Sequence, residues 1–334
     1  MSLDHVAALG SPIDPDRLTL DAIRDGGLQG RPVTVLGLAR SGIALSRFLA
    51  SVGADVTVYD RRPREDLARA IAQVGAEHRV RLLLGPDVDP ATAWAGADLV
   101  TSSPSINPDF PTTEPTLRAA LGALVRGRAA GDRSLPAVLW EPDLFLRLCE
   151  APTVGITGTK GKTTTSALTH AILSADPAHR AILGGNMGKP IVEQLLEIGR
   201  DDRVVFELSE LQLPTLSRGT TVAAYTNVTA DHLDRHGSLE AYRRVKHRLA
   251  ELVDPAGAIV LNLDDPVVAA YADGAVARVV AYRDGEPPAG GVGVVDGWSH
   301  ANGVRRVAAA VDGPGPTAAI GPVLPIDVLA IPGR

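Results

Sequence analysis

The run Gly155-Ile156-Thr157-Gly158-Thr159-Lys160-Gly161-Lys162-Thr163 constrains this chain more than any other feature. It closes on the Gly-Lys-Thr of a phosphate-cradling loop, usually spaced G-x-x-x-x-G-K-[ST]. Here the first glycine, Gly155, lies one position early and Gly158 adds a third. Residues 152–156 are short, mostly apolar and β-branched. Residues 163–173 have helical spacing and no Gly or Pro. Strand, glycine loop and helix in that order are the context the motif requires. The spacing predicts a cradle of backbone N–H groups over Gly158, Thr159, Lys160 and Gly161, completed by Thr163 and Thr164 at a helix N-terminus. Lys162 then reaches the terminal phosphates, and the Thr163 hydroxyl holds Mg²⁺. A nucleoside triphosphate, ATP, is the expected ligand.

A length of 334 residues predicts two or three domains. A formal net charge of −6 argues against a general nucleic-acid or anionic-membrane binder. No apolar stretch approaches a membrane span, and Asp4, Pro12, Asp14 and Asp16 interrupt any signal peptide. The one cysteine, Cys149, excludes an intrachain disulfide, reads as a packed side chain, and fits a reducing cytoplasm.

Residues 1–30 read as a polar leader with a short helix around 18–24. A strand at 33–36, the turn Gly37-Leu38-Ala39-Arg40-Ser41-Gly42, a helix through Ser51 and a strand at 55–59 form a βαβ unit. It carries the dinucleotide fingerprint, with Ala39 in place of the middle glycine and Asp60 where a ribose-binding acid falls. The unit predicts a docked pyrophosphate or nucleotide; a tight turn without ligand is the alternative. Further strands are expected at 80–84 and 97–101. The second runs into a turn cluster at 102–108, where ligands of open α/β sheets collect. A loop at 129–136 and a helix at 141–149 precede a boundary near Glu150. Strands and helices then alternate through Pro266, followed by a strand at 276–282 and two or three more, the last at 323–330. The expected fold class is α/β: a Rossmann-like nucleotide domain over 31–150, then a P-loop ATPase-like domain over 151–331 with a parallel sheet and a smaller flanking sheet.

Four later segments place polar residues in apolar surroundings. Asn186 stands in a glycine turn, and Glu207 ends a strand just before Ser209 and Gln212. His232 follows a strand at 222–225, and Lys246 lies on a helix over 238–253 beside the face of Leu239, Tyr242, Val245 and Leu249. Singly, Glu207 reads as a strand cap, His232 as an exposed loop histidine and Lys246 as a solvated helix lysine.

In this order, with the shifted glycine spacing, these segments resemble the Mur ligases, ATP-dependent amide-forming enzymes of peptidoglycan synthesis. The resemblance runs from about residue 30 to the end and is strongest to members that join glutamate to UDP-N-acetylmuramoyl-L-alanine. It implies ATP and Mg²⁺ at Lys162 and Thr163. It implies a second Mg²⁺ on Glu207 and His232, and a carbamylated Lys246 able to hold that metal. Asn186, Ser209 and Gln212 match positions near the muramoyl-alanine end. Leu38, Ala39, Arg40, Ser41, Asp60, Arg61 and Ser103 lie where the uridine diphosphate is gripped, and Asn262 falls on the adenine side. A cytoplasmic monomer is implied. The chain departs from the family in having Lys160 for an asparagine and Glu210-Leu211 for Ser-Phe. It ends at Ile331-Pro332-Gly333-Arg334, similar to the linker that opens the family's amino-acid-binding third domain, so that domain is expected to be missing. The alternatives are a non-catalytic nucleotide or UDP-precursor binder, and a Mur-type ligase for another amino acid. A dehydrogenase leaves Lys162, Glu207 and His232 unexplained.

Overall fold

The structure, a computed structural model, describes residues 9–75, 80–186, 190–304 and, as backbone, 321–325. The first sheet comprises β1 (Pro32–Leu36), β2 (Asp55–Asp60), β3 (Val80–Leu84), β4 (Leu99–Ser102) and β5 (Ala137–Trp140). All five strands are parallel, in the spatial order β3-β2-β1-β4-β5. Helices cover both faces of such a sheet, so its central strands are buried on both sides rather than alternately. Val33, Val35, Leu36, Val56, Val58, Leu99 and Val100 are buried accordingly. Strand order reverses between β1 and β4, which opens a crevice at their carboxyl ends.

Residues 9–30, the described part of the expected polar leader, depart from that expectation. Leu9, Ile13, Leu18, Leu20, Ile23 and Leu28 are buried in the main core. The helix α1 (Leu20–Arg24) starts at Thr19, whose side chain accepts from the Ala22 N–H. These apolar residues are scattered among Asp, Pro and Gly with no helical or strand period, so the segment reads as polar although it packs.

The second sheet contains β6 (Thr153–Thr157), β7 (Ala181–Gly185), β8 (Arg203–Glu207), β9 (Val222–Tyr225), β10 (Ala258–Asn262), β11 (Arg278–Asp284), β12 (Gly291–Val295), β13 (Trp298–Asn302) and β14 (Gly321–Pro325). Its order is β14-β13-β12-β11-β10-β9-β6-β8-β7. Strands β6 to β12 are parallel; β13 and β14 add antiparallel pairs. The strands expected to flank as a smaller sheet therefore continue the edge of the main one, because β12 pairs with β11. The last expected strand is realised at Gly321–Pro325, and residues 326–334 lie outside the described residues. Helix α2 (Arg40–Ser51) follows β1, and α3 (Pro115–Ala129) covers the other end of the first sheet. Helix α4 (Glu141–Leu148) joins the sheets. Its Phe145 ring lies 5.2 Å from Phe206 of β8, and its Asp143 accepts from the Ser217 N–H at 2.7 Å.

A buried ion pair pins the leader to the first sheet. Arg31 Nε donates to Asp98 Oδ2 at 2.5 Å, with only 8% and 10% of the side chains exposed. Ser11 Oγ donates to the other oxygen of Asp98 at 2.7 Å, and Arg31 also reaches the Gly10 carbonyl. Removing one partner strands a buried charge. Asp98→Ala is expected to cost about 3–5 kcal/mol in urea denaturation; a loss below about 1 kcal/mol would show that the apolar contacts alone hold the leader.

Candidate active site

The phosphate loop is formed by the end of β6 and the start of α5 (Lys162–Ser174). Gly158 has φ +150° and Gly161 φ +82°, both conformations that favour glycine. A Cβ on Gly158 would lie 2.0 Å from Thr226 Oγ1. Gly155, by contrast, belongs to β6, where a Cβ would meet Thr220 Oγ1 at 2.7 Å. The odd spacing thus resolves into two loop glycines and one that lets β6 pack closely. The loop is braced by the segment after β9. Thr159 N–H donates to Asn227 O at 2.7 Å and Lys160 N–H to Asn227 Oδ1 at 3.0 Å, while Thr226 Oγ1 donates to Lys160 O at 2.6 Å. The Thr159 and Lys160 amides, expected in the phosphate cradle, are thus engaged within the protein; the first-turn N–H groups of α5, at Lys162, Thr163 and Thr164, have no intrahelical partners, an arrangement that suits an anion. Lys162 Nζ lies over its own loop, donating to Gly158 O and Thr159 O at 2.9 Å each.

Thr163 Oγ1 donates to Glu207 Oε2 at 3.0 Å, and Asn186 Nδ2 to Glu207 Oε1 at 3.0 Å. Arg40 Nη2 donates to Asn186 O at 3.1 Å. A continuous polar line thereby runs from the turn after β1 to the phosphate loop.

Lys246 contradicts its reading as a solvated lysine. It sits in α6 (Leu239–Leu252), is 0% exposed, and donates to Gly158 O at 3.0 Å and Thr157 Oγ1 at 3.3 Å. Its ammonium lies 5.5 Å from the Tyr242 ring centroid, and the Tyr242 hydroxyl is 3.1 Å from Thr159 Oγ1. Burial first, and the charge of Lys162 second, push Lys246 down to about 7. His232, at φ +49°, has its Nε2 3.8 Å from Glu210 Oε1, and no hydrogen bond or ion pair joins it to Glu207 or Lys246. Lys160 pairs with Asp231 at 3.1 Å and stays 77% exposed; Glu210 is buried and pairs with Arg235 at 3.0 Å. Asn262 Nδ2 donates to Thr226 O at 2.8 Å, behind the segment that braces the loop.

Two cavities lie between the carboxyl edge of the first sheet and the segments that follow β7, β8 and β9. One, of about 410 Å³, is lined by Gly37, Asp60, Arg61 and Glu114, with Leu211 and Arg235 from the segments that follow β8 and β9. Asp60 accepts from Leu38 N–H at 2.8 Å and from Arg62. Burial opposes its ionisation, but Arg62 and the Arg62 and Leu38 amides hold its pKa below the usual carboxylate value. Arg61 pairs with Glu114, which caps α3; against a burial effect, the Leu117 and Thr116 amides and Arg61 hold Glu114 down to about 2. The second cavity, of about 200 Å³, is lined by Ala39, Arg40, Ser41, Ser103, Asn186, Ser209, Gln212 and Glu141. Gln212 Oε1 accepts from both Ser209 N–H and Oγ, at 2.9 and 3.0 Å. Arg235 and Glu141 were not among the expected site residues. The available signal for Glu141 was its position directly after a strand of the first sheet.

Mg²⁺ favours hard oxygen donors beside phosphate. Thr163 Oγ1, exposed in the first turn of α5, and the buried Glu207 carboxylate at the end of β8 fit that chemistry. Among the described residues no group of three or more His, Cys, Asp or Glu is placed to hold a metal ion, so a second site on Glu207 and His232 requires a further donor.

Residues 156–289 match the Mur ligase middle domain, and the chain belongs to the Mur ligase family. It is 41% identical over 255 residues to a UDP-N-acetylmuramoylalanine–D-glutamate ligase of Geobacter metallireducens, covering 76% of this chain and 52% of that protein. The ligase of the same name from Anaeromyxobacter dehalogenans is 40% identical over 262 residues, 78% of this chain and 52% of the relative. The chain spans about half the length of the curated relatives it matches. Its fold is similar to that of UDP-N-acetylmuramate:L-alanyl-gamma-D-glutamyl-meso-diaminopimelate ligase from Neisseria meningitides, with a TM-score of 0.50 at 20% identity over 79% of this chain and 83% of the other. Among the described residues no helix is long and apolar enough to cross a membrane.

A lysine with a lowered pKa destabilises the fold most below that pKa, where both folded and unfolded states carry the proton. The penalty fades as pH rises towards the unfolded value. Lys246→Met is therefore expected to stabilise the protein by about 1–3 kcal/mol near pH 7, with the gap closing towards pH 10. Thermal melts across that range in bicarbonate-free buffer test this; a constant gap would mean that Lys246 does not titrate near neutrality.

Proposed function

We propose that this chain carries the UDP-precursor and ATP-phosphate sites of a ligase that joins glutamate to UDP-N-acetylmuramoyl-L-alanine, with residues 31–150 and 151–331 as the two domains. The observation that carries the reading is the line Arg40–Asn186–Glu207–Thr163, which connects the nucleotide turn of the first sheet to the phosphate loop. An acceptor held in the two cavities presents its carboxylate near Asn186, beside the terminal phosphate held over Lys162.

A carboxylate is a poor electrophile, because its charge repels nucleophiles and oxide is a poor leaving group. In the proposed reaction its oxygen attacks the γ-phosphorus of ATP and ADP departs. The glutamate amine then attacks the acyl carbon, expelling phosphate and losing a proton. The transferring phosphoryl group gathers negative charge, which Lys162 and the first-turn amides of α5 offset. Mg²⁺, held by Thr163 and Glu207, would neutralise further phosphate charge. A pKa of about 7 leaves much of Lys246 as a neutral amine, the form that adds CO₂ to give a carbamate and a proton. The resulting anion would supply a further oxygen donor on the Glu207 and His232 side. The adenine side is assigned to Asn262.

Phosphate release dependent on both UDP-N-acetylmuramoyl-L-alanine and glutamate, measured on the complete gene product, tests the reading. Precursor binding without such release would leave a binding protein. Lys162→Ala is expected to lower turnover at least about 100-fold, while calorimetry finds precursor affinity within about threefold of wild type. A large loss of that affinity would show the two sites are not separable.

Lys246→Ala should likewise abolish turnover, and millimolar acetate should restore part of it by supplying the missing carboxylate. Full activity in the unrescued variant would remove the carbamate from the mechanism.

A further inference from the structure

Glu141 is a buried acid that the fold does not use. It opens α4 directly at the carboxyl end of β5, on the edge where ligands of a parallel sheet collect. It is 3% exposed and lines the 200 Å³ cavity, yet its Oε1 has no hydrogen-bond partner within the protein. It does not cap its helix, since Trp140 occupies that position and no side chain closes it. The neighbouring acid Asp143 is fully employed, by Ser217 and Arg147. An unsatisfied buried oxygen costs stability, so its presence in a cavity points to a partner that arrives with a ligand.

The neighbours define that partner. Gln212 and Ser209 are bonded to each other, and Ser103 Oγ lies 3.1 Å from Ser105 Oγ. Ser105 and Leu211 line both cavities, so the two are contiguous. The larger one ends at Asp60 and Arg61, the smaller at Asn186 and thence Glu207. Glu141 therefore stands between a nucleoside end and a carboxylate end. An ionised carboxyl repels phosphate and accepts from O–H or N–H donors more strongly than a neutral amide oxygen does.

We propose that Glu141 is a specificity-determining residue that hydrogen-bonds a hydroxyl or amide N–H in the uncharged, sugar-like middle of the UDP-linked acceptor. This rests on the acceptor reading given above. Burial pushes Glu141 up to about 7, countered only by Arg40, which is the other charged residue lining the cavity. The faces contributed by the ends of β7 and β8 are uncharged there: Asn186, Ser209 and Gln212.

For an acid whose folded pKa is raised, the folded state holds the proton more tightly, so stability falls as pH climbs past the unfolded value. Glu141→Gln keeps the shape and removes that penalty. The variant is expected to melt above wild type at pH 8, with a smaller gap at pH 5. Calorimetric titration should find UDP-N-acetylmuramoyl-L-alanine bound at least 10-fold more weakly by E141Q, with the affinity for UDP alone unchanged. Glu141→Asp should recover part of the precursor affinity. Equal precursor affinities in wild type and E141Q would overturn the proposal. So would parallel losses for precursor and UDP, or a less stable E141Q, since either makes the carboxyl a prop of the fold. Wild-type protein that binds UDP but gains nothing from the rest of the precursor would overturn the acceptor reading itself.

Discussion

The Glu207 carboxylate holds this site together. It is 1% exposed, and a buried carboxylate is tolerable only when its oxygens are satisfied. One oxygen takes the hydroxyl that opens α5, the other the amide of the turn after β7. Two segments separated in sequence are thereby fixed to the end of the strand between them. That turn in turn receives Arg40 from the first sheet. Without this acid the phosphate loop, the turn and the crevice of the first sheet would have no common anchor.

Around that anchor the protein keeps two ionisable groups in environments that disfavour their charged forms, Lys246 on one side and Glu141 on the other. Burial drives both towards neutrality from opposite ends of the pH scale. Their contributions to stability consequently slope in opposite directions with pH. Perturbed groups of this kind cluster where chemistry or recognition needs them; Glu141 directly follows β5, and Lys246 touches the loop that follows β6.

Legibility in the sequence followed how local each feature is. The strand, glycine loop and helix over 152–173 are contiguous, so their pattern stands alone. The same holds for the βαβ unit ending at Asp60. Burial of Lys246 was not readable from α6 itself: a lysine beside an apolar stripe looks solvated until the phosphate loop is laid over it. The Oε1 of Glu141 is unpartnered only because of how β5, α4 and the ends of β7 and β8 pack together, and no window of sequence encodes that. The leader was misread for a different reason, since its buried leucines and isoleucines follow the contours of a core instead of a helical or strand period. The extra strands β12 to β14 were foreseen as strands, but their continuity with the main sheet depends on the parallel pairing of Tyr282 with Val292, which the turn residues between them do not reveal.

The bracing of the phosphate loop by Asn227 and Thr226 has a consequence for affinity. Asn227 takes the Thr159 and Lys160 amides, Thr226 holds the Lys160 carbonyl, and Asn262 and the Tyr282 hydroxyl grip Thr226 from behind. A glycine-bearing loop left to itself would sample many conformers and would have to be frozen by each arriving nucleotide. Here that ordering is completed when the chain folds, so an anion bound at the start of α5 would meet a loop already set and lose little binding free energy to conformational restriction.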